Sequence, residues 1–355
     1  MAGGEPKAVG LTDGAQLPLP WLREPLAQAL RLDRSHALLV HAAQDMGQFE
    51  LALVLAQARL CEQGARAPCG RCNACRLVRQ RTHPDLRIVV PEALRVQFDW
   101  LGDDDPLQRA GAKPSREIKI GEVRDAIEWT QRSASSSRGR VLVIHPAEAI
   151  NPSAANALLK TLEEPPGQLR IVMVGGDPER LLPTLRSRMQ RLRLHAPAHA
   201  EALAWLQAQG VSHAARALAV AGGSPLGALS LHRAGFDERV LDDLPRIVAR
   251  GDAQSLIGQP LPMVLDLLQR VAHDAMAHAA GATPVFFDSA RMPAAAPLAE
   301  LVQWERELLR VARDAEHPWH APLLVEALVT KGARCWSVAA APARRVGGHS
   351  LHSAG

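Results

Sequence analysis

Apolar residues along the first 195 positions gather in short runs at Leu38–Val40, Leu86–Val90, Arg140–Ile144, Arg170–Val174 and Leu192–Leu194, with longer helix-periodic segments between them. Short apolar runs have the length of buried strands, and their alternation with helices predicts an α/β domain built on a mainly parallel sheet. Phe49–Cys61 and Asn151–Glu163 read as helices, the second stopped by Pro165-Pro166 because proline cannot continue a helix and restricts the residue before it. Gln97–Ser115, rich in Asp, Gly and Pro and without periodicity, is expected to form a flexible surface loop.

Beyond Ala196 the strand signal disappears. Glu201–Gln209 is closed by Gly210 and Ala214–Ala221 by Gly222-Gly223, the glycine stops expected at helix C-termini. Val264–Ala275, Leu298–Ala312 and Leu323–Leu328 then repeat apolar residues at helix spacing. The expected division is a loose N-terminus over 1–17, an α/β core over 18–195, a small helical module over 196–235, an all-helical domain over 236–336 and a disordered tail over 337–355.

The hydrophobic content of 47% is ordinary for a globular protein, and runs such as Val141–Ile144 are far too short to span a bilayer. Met1–Gly14 has no apolar signal core, so a cytoplasmic location without a membrane partner is expected. The formal charge of +4 is mild, but arginines cluster as Arg66, Arg71, Arg76, Arg79, Arg81 and Arg87, and again as Arg180, Arg186, Arg188, Arg191 and Arg193. Such patches can meet phosphates or acidic partners, although each arginine alone reads more simply as solvated surface.

Cys61, Cys69, Cys72 and Cys75 leave only Cys335 elsewhere in the chain. Thiolates at C-x-x-C steps converge on one tetrahedral ion, so these four are the candidate ligands of a structural Zn²⁺. An iron–sulfur run would need a further Cys-Pro after Cys75, where Arg76-Leu77 stands instead. A disulfide framework suits neither the odd cysteine count nor the length.

After the first strand, Ala42-Ala43-Gln44-Asp45-Met46-Gly47-Gln48-Phe49 occupies the place of a phosphate-binding loop, G-x-x-x-x-G-K-[S/T]. Ala42 replaces the first glycine and only Gly47 remains. The lysine that neutralises phosphates is Gln48, and the hydroxyl that holds Mg²⁺ is Phe49. At the end of the third strand, His145-Pro146 stands where an aspartate–glutamate pair would bind magnesium and polarise water. His145 has no clustered Cys, Asp or Glu and reads as structural rather than as a metal ligand. Ser224-Pro225-Leu226 opens a helix where a nucleotide-sensing arginine would be sought, and leucine cannot contact phosphate.

Trp21-Leu22, His36–Leu39, the cysteine module after the first helix, His83-Pro84-Asp85, Ile118-Lys119-Ile120, Asn156–Pro166 and Leu181–Arg188 together resemble bacterial clamp-loader AAA+ subunits. The degenerate loop makes members that do not hydrolyse ATP the nearest. The resemblance runs from Leu17 to Trp336, with specific motifs in the first 190 residues and only helical pattern beyond about 230.

It implies an AAA+ core carrying the zinc module, a helical lid, and a helical collar that holds a pentameric ring with delta and gamma/tau subunits. That ring opens the sliding clamp and places it on primed DNA. In this family a Ser-Arg-Cys motif supplies an arginine to the neighbouring subunit's ATP site; here it reads Ser187-Arg188-Met189, which makes Arg188, supported by Ser187, the expected finger. The interval from Cys61 to Cys69 is one residue shorter than is common in the family, so His83 is a spare candidate for the fourth ligand. Two competing functions remain: an active ATPase like gamma/tau, opposed by the missing lysine, hydroxyl and carboxylates, and a zinc-dependent DNA-binding module. Against the second, no aromatic residue is interleaved with the arginines from 61 to 97.

Overall fold

A computed structural model describes residues 17–32, 35–43, 45–64, 67–102, 105–108, 114–313 and 320–339, with side chains to 337. The loose N-terminus expected over 1–17 and the tail expected over 337–355 lie outside the described residues except at Leu17 and at 337–339. Residues 337–339, expected in the tail, continue a helix instead. Arg66 and Gln44 also lie outside.

Five strands form one wholly parallel sheet: β1 (Ala37–His41), β2 (Leu86–Val89), β3 (Arg140–Ile144), β4 (Leu169–Gly175) and β5 (Gln190–Arg193), in the order β2-β3-β4-β1-β5. Each coincides with a predicted apolar run to within a residue or two. The runs of the three inner strands β1, β3 and β4 are continuous rather than alternating because helices cover both faces. Leu38, Val40, Val141, Val143, Val172 and Val174 face one core, under α1 (Arg23–Arg31) and α2 (Gln48–Leu60). Their neighbours Leu39, Leu142, Ile144, Ile171 and Met173 face the other core with residues of α5 (Ile120–Gln131) and α6 (Pro152–Glu163).

Asn151 caps α6, its side chain accepting the Ala154 N–H at 2.9 Å with Pro152 at the first helical position, as the residue types favour. Asp85 is fully buried and pins the turn before β3. It accepts the Ser135 and Ser136 N–H groups at 2.8 and 3.1 Å and faces the buried Arg140 at 3.7 Å.

No periodic signal in the sequence marks α3 (Asn73–Arg79), α4 (Glu92–Gln97) or α5. The first two are barely two turns long, and α5 buries only Val123, Ala126 and Thr130, a narrow stripe that weakens the periodic signal. Within the loop expected over 97–115, the described Pro106–Gln108 form a 3₁₀ turn held by the Leu107 N–H on Asp105.

The chain divides into two compact units: residues up to Ala208 with Ser224–Gly227, and Gln209–Gly223 with the residues from Ala228 onward. The first also holds α7 (Pro183–Arg186) and α8 (His199–Ala208). Helices α9 (Ala214–Val220) and α10 (Pro225–Arg233) follow. The second unit contains α11 (Glu238–Ala249), α12 (Leu261–Ala279), α13 (Leu298–Arg313) and α14 (Ala321–Ala339). In it, the fully buried Asp274 accepts the N–H groups of Val285, Phe286 and Phe287 at 2.7–2.9 Å. Trp304 of α13 donates from its indole N–H to the Leu328 carbonyl of α14 at 3.0 Å and lies over Gly332, where a Cβ would come within 2.6 Å of the ring. Among the described residues no helix is long and apolar enough to cross a membrane.

Candidate functional site

The C-terminal ends of β1, β3 and β4 meet where parallel α/β sheets hold ligands. The turn after β1 keeps the shape of a phosphate loop: Gly47 sits at φ 96°, a left-handed conformation that suits glycine, and opens α2. Its interior is filled by the protein itself. The Gln48 side chain, at the lysine position, accepts the Met46 N–H at 3.1 Å and donates to the Ala43 carbonyl at 3.4 Å. From outside, Trp21 donates to the Met46 carbonyl at 2.9 Å, and Leu19 lies so close to Gly47 that a Cβ there would be 2.4 Å from its methyl. Ser224 bonds the Asp45 carbonyl at 2.7 Å and, as expected of a helix opening, accepts the Gly227 N–H at 3.0 Å. With the Met46 amide bonded to Gln48, the loop has one donor fewer to offer an anion.

The side chains of Phe49 and His145 touch each other. Phe49 stacks on His145 with ring centroids 4.3 Å apart and planes 15° apart, and Phe98 stacks on Phe49 at 5.6 Å with Trp100 tilted against both. Burial pushes the His145 imidazole down to about 4 against a weaker opposing hydrogen bond to the Val174 backbone, so the ring is neutral at physiological pH. Phe98 and Trp100 lie just past the stretch in which aromatics are missing and were not foreseen as part of this cluster. Glu148 was missed too. It stands three residues after His145, but its carboxylate accepts the Gly176 N–H and presses on Gly175, where a Cβ would be 2.8 Å away.

Ser187 and Arg188 follow α7 at the surface. Arg188 Nε donates to Glu163 at 2.7 Å, Nη2 pairs with the same carboxylate oxygen, and Nη1 donates to the Thr184 carbonyl at 2.8 Å and to Ser187 Oγ at 3.4 Å. Ser187 Oγ in turn donates to the Thr184 carbonyl at 3.2 Å. Met189 is buried, which anchors the segment behind the arginine. Glu163, the last residue of α6, is a partner that spacing could not reveal, because 25 residues separate it from Arg188.

The four cysteines converge as their spacing predicts. All four sulfurs lie within 4.8 Å of one another, with Cys61 and Cys72 at 4.0 Å and Cys69 and Cys75 at 3.9 Å. A tetrahedral zinc with Zn–S bonds of about 2.3 Å separates its sulfurs by about 3.8 Å, so the cage has the right size. The Gln63, Cys72 and Cys75 N–H groups donate to Cys61, Cys69 and Cys72 at 3.4 Å, contacts that favour thiolates. Backbone N–H groups, that of Arg71 foremost, pull the Cys69 thiol down to about 6, whereas burial pushes Cys61 and Cys75 up. Bound cation would overcome that cost of burial. His83 stays outside the cluster, its Nδ1 accepting the Asp85 N–H at 3.0 Å in the expected turn.

The five-strand parallel sheet and the left-handed turn at Gly47 that opens α2 define an α/β protein whose loop after β1 is bonded by Gln48, Trp21 and Ser224. Residues 22–198 match the family described as DNA polymerase III, delta subunit. The chain is 32% identical over 261 residues to the DNA polymerase III subunit delta' of Pseudomonas aeruginosa, covering 70% of this chain and 74% of that protein. It is 32% identical over 281 residues to subunit delta' of Escherichia coli, covering 75% and 78%. To subunit tau of Escherichia coli it is 31% identical over 173 residues, 48% of this chain and 23% of tau. This chain belongs to the DNA polymerase III subunit delta' family.

Proposed function

We propose that the chain is a cytoplasmic, non-hydrolysing subunit of the DNA polymerase III clamp loader. It joins delta and gamma/tau subunits in a ring that loads the sliding clamp on primed DNA, and it lends Arg188 in trans to a neighbour's ATP site. The observation that carries this reading is the contrast between two sites on one domain. Gln48, Phe49 and His145 fill the phosphate and magnesium positions with groups that cannot neutralise charge, while Ser187-Arg188 keeps a guanidinium at the surface. A guanidinium is always charged and presents a fork of donors, which suits it to stabilise charge developing on a γ-phosphate across an interface, an effect worth about 10³–10⁵ in rate elsewhere.

In this reading the core over 18–195, the lid over 196–235 and the collar over 236–336 divide the labour, the collar holding the ring together. Cys61, Cys69, Cys72 and Cys75 hold a structural Zn²⁺, whose chemistry is to bind the module's ends without redox turnover. The test is Arg188→Ala in the complex reconstituted with delta and gamma/tau. The variant assembles, and ATPase activity falls. Assembly with unchanged ATPase activity would overturn the finger role.

A further inference from the structure

Arg188 is already occupied. Of the five N–H donors of a guanidinium, Nε and one on Nη2 go to Glu163, and those on Nη1 go to the Thr184 carbonyl and Ser187 Oγ. That leaves a single N–H on Nη2. A two-pronged grip on a phosphate therefore requires Arg188 to release a present partner. The carboxylate is also the wrong neighbour for an arginine at work, because a negative charge in hydrogen-bond contact cancels much of the field the guanidinium would project.

We infer that Glu163 is a latch: it holds Arg188 retracted in the subunit alone and gives it up when a neighbour presents a triphosphate. This inference rests on the trans-finger reading above. The exchange swaps one anion for another of higher charge, so no cation is left unpaired at any stage. Both partners are accessible enough for the swap, with side chains 34% exposed for Arg188 and 49% for Glu163. An exposed pair is also weak enough to break without unfolding anything. The three anchors differ in kind. Thr184 and Ser187 belong to the arginine's own turn and travel with it, whereas Glu163 sits at the end of α6, in another element. Glu163 is therefore the contact that sets whether the arginine lies back on its own domain or reaches out.

The experiment measures ATP turnover by the reconstituted complex carrying Glu163→Gln, Glu163→Ala, Arg188→Ala, or Glu163→Gln with Arg188→Ala. Freeing the guanidinium from an exposed ion pair should raise turnover at sub-saturating ATP by about two- to fivefold in both single Glu163 variants. The same change made in the Arg188→Ala background should have no effect, which a role of Glu163 in folding alone would not produce. Lower or unchanged turnover in both Glu163 variants, with Arg188→Ala impaired, would overturn the latch and leave the finger standing. Unchanged turnover in Arg188→Ala would remove the finger reading itself.

Discussion

Acidification should weaken the first unit through His145, by an amount that follows from its place against Phe49. In the folded chain burial keeps the imidazole neutral down to about 4, whereas its ordinary value is 6.5. As pH falls below that ordinary value, the unfolded chain takes up a proton that the folded chain refuses. The stability contributed by the depressed group is thus complete above about 6.5 and is lost progressively toward about 4. At about 1.4 kcal/mol per unit the full loss is about 3 kcal/mol, of which about 2 kcal/mol has gone by about pH 5. His145→Phe keeps an aromatic face on Phe49 and removes the titration. Urea denaturation of both proteins at about pH 7 and about pH 5 isolates the term, because other titrating groups are common to the pair. The parent chain should lose about 2 kcal/mol more than the variant over that interval. Equal losses would mean that His145 is protonated or solvated in the fold, and the picture of a dry, neutral ring packed on Phe49 would be wrong.

Removing metal with a strong chelator should release one zinc per chain and loosen the segment from Cys61 to Arg79, seen as a rise in amide exchange there. Cys75→Ser should reproduce it, and retention of native exchange in the metal-free chain would contradict a structural site. Gly332→Ala should destabilise the second unit by about 1–3 kcal/mol, since the added methyl meets the Trp304 ring. Thermal denaturation unchanged by that substitution would show that α13 and α14 shift apart freely.

What could be read from residues alone divides along sequence separation. The strands, α2 and α6 announced themselves because their signals are local: an apolar run, helical spacing, a proline stop. Gly47 and the cysteine cluster were legible for the same reason, their spacing being short. Helix α11 falls in the stretch expected to be helical but is not marked singly, Pro245 standing within it, and α5 escaped because its buried stripe is narrow. The partners that give the candidate site its character were beyond reach. Glu163 meets Arg188, and Phe49 meets His145, only because the sheet order brings distant strand ends and helix ends together. Gln48 and Phe49 raise the expectation of a loop without phosphate chemistry; only the fold shows that Gln48 bonds the loop to itself and that Phe49 packs on His145.

The most direct measurement of the central claim is ATP binding and turnover by the purified chain alone with Mg²⁺, freed of other subunits. With an amide in the lysine position, an aromatic ring in the hydroxyl position and a neutral imidazole in the acid position, the chain should neither bind MgATP appreciably nor release phosphate. Magnesium-dependent turnover by the isolated chain, abolished by substitutions at Gln48 or Gly47, would contradict the account.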